Sequence, residues 1–213
     1  MRIEIWADVV CPWCYIGKRR LEKAIAGFEH GDEVEVVYRS YELDPFAPEV
    51  GTESTVTVLG RKLGADEAGT REMMARADEV AAAEGLTFAH ADTLHARTLN
   101  AHRLIHLAAA EGRQHAMVEE LLAAYFTRGE SLGDPAVLRA AASAAGLDAG
   151  RVEEVLGSDE YRDEVMADVA QARAYGSSGV PFFVLDGRFG ISGAQPAEVF
   201  EQALAQAWSS REG

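Results

Sequence analysis

The sequence predicts an α/β fold: a four-stranded mixed sheet with helices on both faces, into which a large all-helical segment is inserted. Three observations predict it. Strand patterns are confined to the two ends of the chain, near 2–8 and 33–41 and again at 180–192. Between about 52 and 175 they nearly vanish, and Ala, Glu, Arg and Leu recur at helical spacing. The first two strands are separated by one helical run, which suggests a βαβ unit with parallel strands and a right-handed crossover. The expected organisation is a discontinuous domain, 1–44 with 158–213, interrupted by a helical domain at 45–157.

Taken in order, Arg2-Ile3-Glu4-Ile5-Trp6-Ala7 reads as the first strand. A helix follows at about 11–28, with Pro12 in its first turn, where a missing N–H costs nothing. Gly31-Asp32 turns the chain, and Glu33–Arg39 alternates as the second strand, with room to extend to Tyr41. Asp44-Pro45-Phe46-Ala47-Pro48 breaks the pattern. Helices are expected near 54–63, 66–84, 93–111, 114–129, 134–146, 148–157 and 158–175, with Asp66, Asp134 and Ser158 as N-caps. Val180–Leu185 and Arg188–Ser192 then form a hairpin across Asp186-Gly187. A last helix runs from 196 to about 209, with Gln195 as its cap.

The chain has 213 residues, enough for one large domain or two small ones with a full core. Thirty-five acids against 20 basic residues give a net charge of −15, which argues against a nucleic-acid partner, since phosphate binding needs a basic face. No run approaches the length of a membrane span, and no signal-peptide pattern precedes the first strand, so a cytoplasmic setting is expected. Cysteines in a reducing compartment are more often catalytic or metal-binding than structural staples.

The only two cysteines are Cys11 and Cys14, in Cys11-Pro12-Trp13-Cys14, between a strand and a helix N-terminus. There the positive end of the helix dipole and free backbone N–H groups favour thiolate over thiol at the first position. The second thiol lies one turn on, close enough to close a disulfide. Cys11 is therefore read as the nucleophile and Cys14 as the resolving thiol. Zinc is the alternative, but it requires two further ligands, which histidines alone would have to supply. No metal and no cofactor beyond the redox pair is expected. His95, His102 and His106 fall on one stripe of the helix predicted at 93–111, either as the flank of its buried face or as a polar wall or metal-binding stripe. Lys18, Arg19, Arg20 and Lys23 form a basic run on the cysteine helix, read as a solvated face, with attraction of an acidic thiol as the alternative.

Three motifs, in order and with the insertion between them, carry a resemblance: Asp8-x-x-Cys11-Pro12-Trp13-Cys14-Tyr15-Ile16-Gly17, then Ser178-Gly179-Val180-Pro181-Phe182-Phe183, then Ile191-Ser192-Gly193-Ala194-Gln195. They resemble the DsbA family of disulfide oxidoreductases in the thioredoxin superfamily, and within it the FrnE-like branch. The resemblance implies a thioredoxin-like fold with an inserted helical domain and a cis Pro181 facing the cysteines. It also implies that the backbone of Val180 pairs with a bound thiol substrate, and that Trp13 tunes the redox couple. Two positions depart from the family pattern. The acid expected in the first strand, six residues before the first cysteine, is here Ile5, which leaves Asp8 as the candidate proton handler. Trp13 stands where DsbA has a thiolate-stabilising histidine, so a less oxidising couple is expected.

The expected activity is thiol–disulfide exchange with a protein disulfide or a small thiol such as glutathione. Two other readings are a glutathione-dependent isomerase or transferase, of the 2-hydroxychromene-2-carboxylate isomerase or kappa-class type, and a redox-sensing binding module.

Overall fold

The structure is a computed structural model and describes residues 1–211. At its centre is a four-stranded sheet in the order β2-β1-β3-β4. Strand β1 (Arg2–Ala7) runs parallel to β2 (Glu35–Ser40) and antiparallel to β3 (Phe182–Leu185), which pairs in turn with β4 (Phe189–Ser192). The crossover between β1 and β2 is α1 (Pro12–Ala26), which buries Cys14, Tyr15, Ile16, Gly17, Leu21 and Ala24 along one face. The β3–β4 turn places Asp186 at φ 47° and Gly187 at φ 66°, the two left-handed residues of a tight hairpin.

Between β2 and β3 lie α2 (Thr55–Leu63), α3 (Glu67–Ala83), α4 (Leu99–Ala110), α5 (Gln114–Leu122), α6 (Pro135–Ala144), α7 (Ala149–Leu156) and α8 (Arg162–Ala174); α9 (Ala197–Ser209) follows β4. One continuous core joins sheet and helices, from Ile3 and Phe183 to Leu104, Leu121 and Val155. Asp168 of α8 ties the sheet to α4. Its carboxylate accepts from the Ser40 amide at 2.9 Å and lies 3.1 Å from His106 Nε2, while its carbonyl accepts from Trp6 Nε1 at 2.8 Å.

Several local expectations are corrected. The helix expected from residue 93 begins only at Leu99. Residues 93–97 are extended instead because their backbone pairs with the segment before α2: Thr55 donates to Thr93, His95 donates to Glu53 and Arg97 donates to Pro48. His95 is therefore not on α4, and the three-histidine stripe does not exist. The helix expected from 158 begins at Arg162. The Ser158 hydroxyl accepts from the Glu160 amide in a local turn, and the carbonyls of Val155, Ser158 and Glu160 are taken by the Arg103 guanidinium. Pro196, not Gln195, sits at the start of α9, and the Gln195 side-chain amide donates to the Ser192 carbonyl. Asp66 and Asp134 do cap α3 and α6, through the amides of Gly69 and Ala136.

Of the basic run on α1, Lys23 is exposed as expected, but the other three are not a solvated face. Lys18 is buried and donates to Glu22 and Glu119, Arg19 grips Glu119, and Arg20 donates to Glu84 at 2.6 Å. Burial pushes the Glu119 carboxyl up, but hydrogen bonds from Arg19 and Lys18 outweigh it and hold it at about 2. A depressed carboxyl adds stability above its unfolded value, and that stability is lost as the pH falls through the folded value. Glu119→Gln is expected to cost about 1–2 kcal/mol at neutral pH, discounted because the carboxylate is a third exposed. Urea melts of variant and parent should converge as the pH falls from 4.5 toward 2. A gap of unchanged size at the acid end would refute the assignment.

Candidate active site

The site forms where β1 ends and α1 begins. Cys11 is the N-cap residue of α1, in an extended conformation, with Pro12 in the first turn. The Cys14 amide donates to the Cys11 carbonyl at 3.0 Å, which closes that turn. Both thiols are free, and each residue is only 4% exposed. Trp13, between them, is 43% exposed. No acidic residue occupies the first turn of α1, so nothing there offsets the dipole facing Cys11.

The loop before β3 comes from the far end of the chain to meet this turn. The Cys11 thiol donates to the Val180 carbonyl at 3.7 Å. The Val180–Pro181 bond is cis, and the Pro181 carbonyl accepts from Gly193 at 2.8 Å. Gly17 makes the close approach possible: a Cβ there would stand 3.1 Å from the Phe183 ring and 3.2 Å from the Pro181 ring.

The two thiols have different surroundings. Cys11 opens on a cleft of about 530 Å³ between the cysteine turn and α2–α3. Its walls are mostly apolar, with Val58, Leu59, Met73, Met74 and Ala77 facing Pro12, Trp13 and Val180. Several of its polar groups are already partnered. Thr55 and Tyr125 share a hydroxyl contact at 2.7 Å, and Asp44 is held by Lys62 and His95. Cys14 points away from this cleft, into the protein. Burial pushes its thiol well up; its hydrogen bond with Cys11 and the charges of Cys11 and Asp8 add to this, and only the Asp8 backbone N–H opposes it. A thiol so placed stays protonated until something nearby takes the proton.

Asp8, the proton handler expected from the sequence, lies beside this thiol. It is 1% exposed, accepts from the Leu43 amide at 2.7 Å, and lies 3.3 Å from Nε2 of His102. The structure thus brings Asp8, Cys11, Pro12, Trp13, Cys14, Val180 and Pro181 into one place. The histidines separate: His102 meets Asp8, His106 meets Ser40 and Asp168, and His95 meets Asp44. Neither the His102–Asp8 contact nor the wall that α2 and α3 lend the cleft is legible in the sequence. The only available signal was Ile5, which shows that the usual acid is missing without showing where a replacement sits.

Comparison with known proteins finds relatives that match nearly the whole chain. A family model described as the DSBA-like thioredoxin domain matches residues 2–205. The crystal structure of the probable DsbA oxidoreductase SCO1869 from Streptomyces coelicolor is 46% identical, with a TM-score of 0.93, over 98% of this chain and 90% of that one. The uncharacterized protein YwbO of Bacillus subtilis is 25% identical over 96% of each chain. The cytosolic disulfide reductase DsbM from Pseudomonas aeruginosa, solved with GSH, shares the fold at 14% identity, with a TM-score of 0.67, over 98% of this chain and all of that one.

Proposed function

The chain belongs to the DsbA-like thioredoxin-domain family of thiol–disulfide oxidoreductases, and from that premise we propose a catalytic cycle through Cys11 and Cys14. Cys11 attacks a disulfide sulfur of the partner and forms a mixed disulfide, releasing one thiol. Cys14 then attacks Cys11, closes the Cys11–Cys14 bond and releases the second thiol. Reversal of the cycle oxidises a dithiol partner, and the direction follows the partner's potential.

The observation that supports these roles is the asymmetry of the two thiols. Cys11 sits at a helix N-terminus, with an open cleft before it and the Val180 carbonyl beside it. Cys14 is enclosed and held protonated by burial. An attacking thiol needs access and anion stabilisation, whereas a resolving thiol needs only the other cysteine. The backbone at Val180 is the natural strand-like partner for an extended substrate.

The cleft suits a partner that is apolar beside its disulfide. Lys62 is the lining lysine, and it is already paired with Asp44 at 2.5 Å. Glutathione, with its two carboxylates, fits better as a regenerating thiol than as the main substrate. We place the protein in the FrnE-like branch and its work in the cytoplasm, a reading supported by its motif set and by its single redox pair in an otherwise cysteine-free chain.

Cys14→Ser tests the cycle. Incubated with cell extract, it should accumulate a mixed disulfide at Cys11 that dithiothreitol releases, while the parent protein accumulates at least tenfold less. Equal trapping by both proteins would overturn the resolving role. Capture of glutathione alone would overturn the apolar-partner reading.

A further inference from the structure

We propose that His102 accepts the proton of the Cys14 thiol, with Asp8 as the positioning residue that holds its ring. This rests on the resolving role of Cys14. It assigns that step to a residue of α4, far from the cysteine motif in sequence.

The argument begins from two polar atoms. His102 is 1% exposed, and its Nε2 faces Asp8 Oδ1 at 3.3 Å. Its other ring nitrogen, Nδ1, is buried without a hydrogen-bond partner among the described residues. Buried polar atoms are normally satisfied, and an orphan of this kind calls for a role. An Asp8 carboxylate fixed by the Leu43 amide accepts from Nε2–H, which leaves Nδ1 as a lone-pair acceptor. The second observation is a cavity of about 10 Å³ whose lining includes Cys14, Asp8, His102, Tyr38 and Arg39. That is the scale of a single water, and one water there would join the thiol to the ring. A nucleophilic thiol, an imidazole and an orienting carboxylate are thus arranged in series, as in an activated cysteine.

The other charged and titratable groups around the pair are already committed. Arg39 is held by Glu4 and Asp168, and burial pushes Tyr38 well up. Across the cleft, burial lowers His90 to about 4 and raises Tyr125, which ends at about 12. Glu42 and Asp44, flanking Leu43, are paired with Arg97 and with Lys62 and His95. His106, one turn along α4, is held by Ser40 and Asp168. His102 is left as the imidazole with a free nitrogen beside the enclosed thiol.

The step balances. The Cys14 S–H bond breaks and its proton goes through the cavity to His102 Nδ1. The Cys14 sulfur attacks Cys11 Sγ as the bond from Cys11 to the partner breaks. The partner leaves as a thiolate and takes up a proton. The cysteine pair is oxidised by two electrons and the partner disulfide is reduced. An imidazolium beside Asp8 offsets the carboxylate charge that otherwise opposes a Cys14 thiolate.

Stopped-flow mixing of the reduced protein with one equivalent of 4,4′-dithiodipyridine reads both steps, as two successive releases of thiopyridone. His102→Gln is expected to slow the second release roughly 100-fold relative to the first and to alter the pH profile of that release alone. Asp8→Asn should act in the same direction. A second phase unchanged in both variants, or both phases slowed alike, overturns the proposal. If the parent protein itself releases only one thiopyridone, the resolving role of Cys14 falls and the pair falls with it. Should the variants not fold, ¹⁵N-histidine NMR of the reduced parent decides the question. The His102 ring must titrate differently when Cys14 is replaced by alanine, and an identical titration overturns the proposal.

Discussion

Cys11→Ser is expected to abolish disulfide exchange, with a loss of roughly 10³-fold or more, as when other covalent nucleophiles are removed. The hydroxyl that replaces the thiol is a weak nucleophile, and the helix N-terminus cannot make it an anion at neutral pH. Insulin reduction and refolding of reduced ribonuclease both measure the loss. The replacement is nearly isosteric, and the Cys11 thiol makes only weak contacts, to the Val180 carbonyl at 3.7 Å and to the Cys14 thiol. Stability should therefore change little, and a thermal melt separates lost chemistry from lost fold. The outcome also discriminates between readings. A glutathione-dependent isomerase would tolerate serine at this position, so activity that survives the change would sink the redox cycle. A sensor module would show no turnover in either protein, and only its partner affinity would follow the oxidation state.

The parts of the fold that were legible in the sequence are those governed by local rules. Alternation marked β1 and β2, Asp186-Gly187 marked the hairpin, and Pro12 marked the start of α1, each because a short segment carries its own signal. What was not legible depends on partners distant in sequence. Residues 93–97 have helical spacing, but backbone pairing with 48–55 takes their amides, and tertiary bonds override a weak propensity. That single error turned three separate histidines into an apparent stripe. It also hid the meeting of His102 with Asp8, 94 residues away. Lys18 looked like a surface cation because Glu119, its partner, lies 101 residues on. The cysteine pair itself was readable because the chemistry needs both thiols within one helical turn. Asp8 was nameable for the same reason, being three residues from Cys11.

The core beneath the cysteine turn supports the second large expectation. Phe183 is fully buried in β3, opposite Ile5 on one side and Ile191 on the other. Its ring meets Phe200 edge-on at 4.8 Å and lies against the backbone of Gly17 on α1. It therefore wedges three pieces together: the central strand, the last helix and the first turns of the cysteine helix. Phe183→Ala removes that wedge and leaves a cavity, and the expected cost is about 3–5 kcal/mol. For a chain of this size that corresponds to a fall in Tm of roughly 6–20 °C. A purely energetic effect would stop there, but the position of Phe183 implies a chemical one as well. Pro181 and Val180 stand two and three residues before it, so loosening its ring lets the Val180 carbonyl drift from Cys11. Leu104→Ala is the matched control, since Leu104 is equally buried but lies on α4, within the helical insertion. Both variants should lose comparable stability in urea, while only Phe183→Ala should change the rate at which Cys11 is alkylated. Equal effects of the two on Cys11 would mean that the cleft responds to global stability rather than to the seating of β3 under α1.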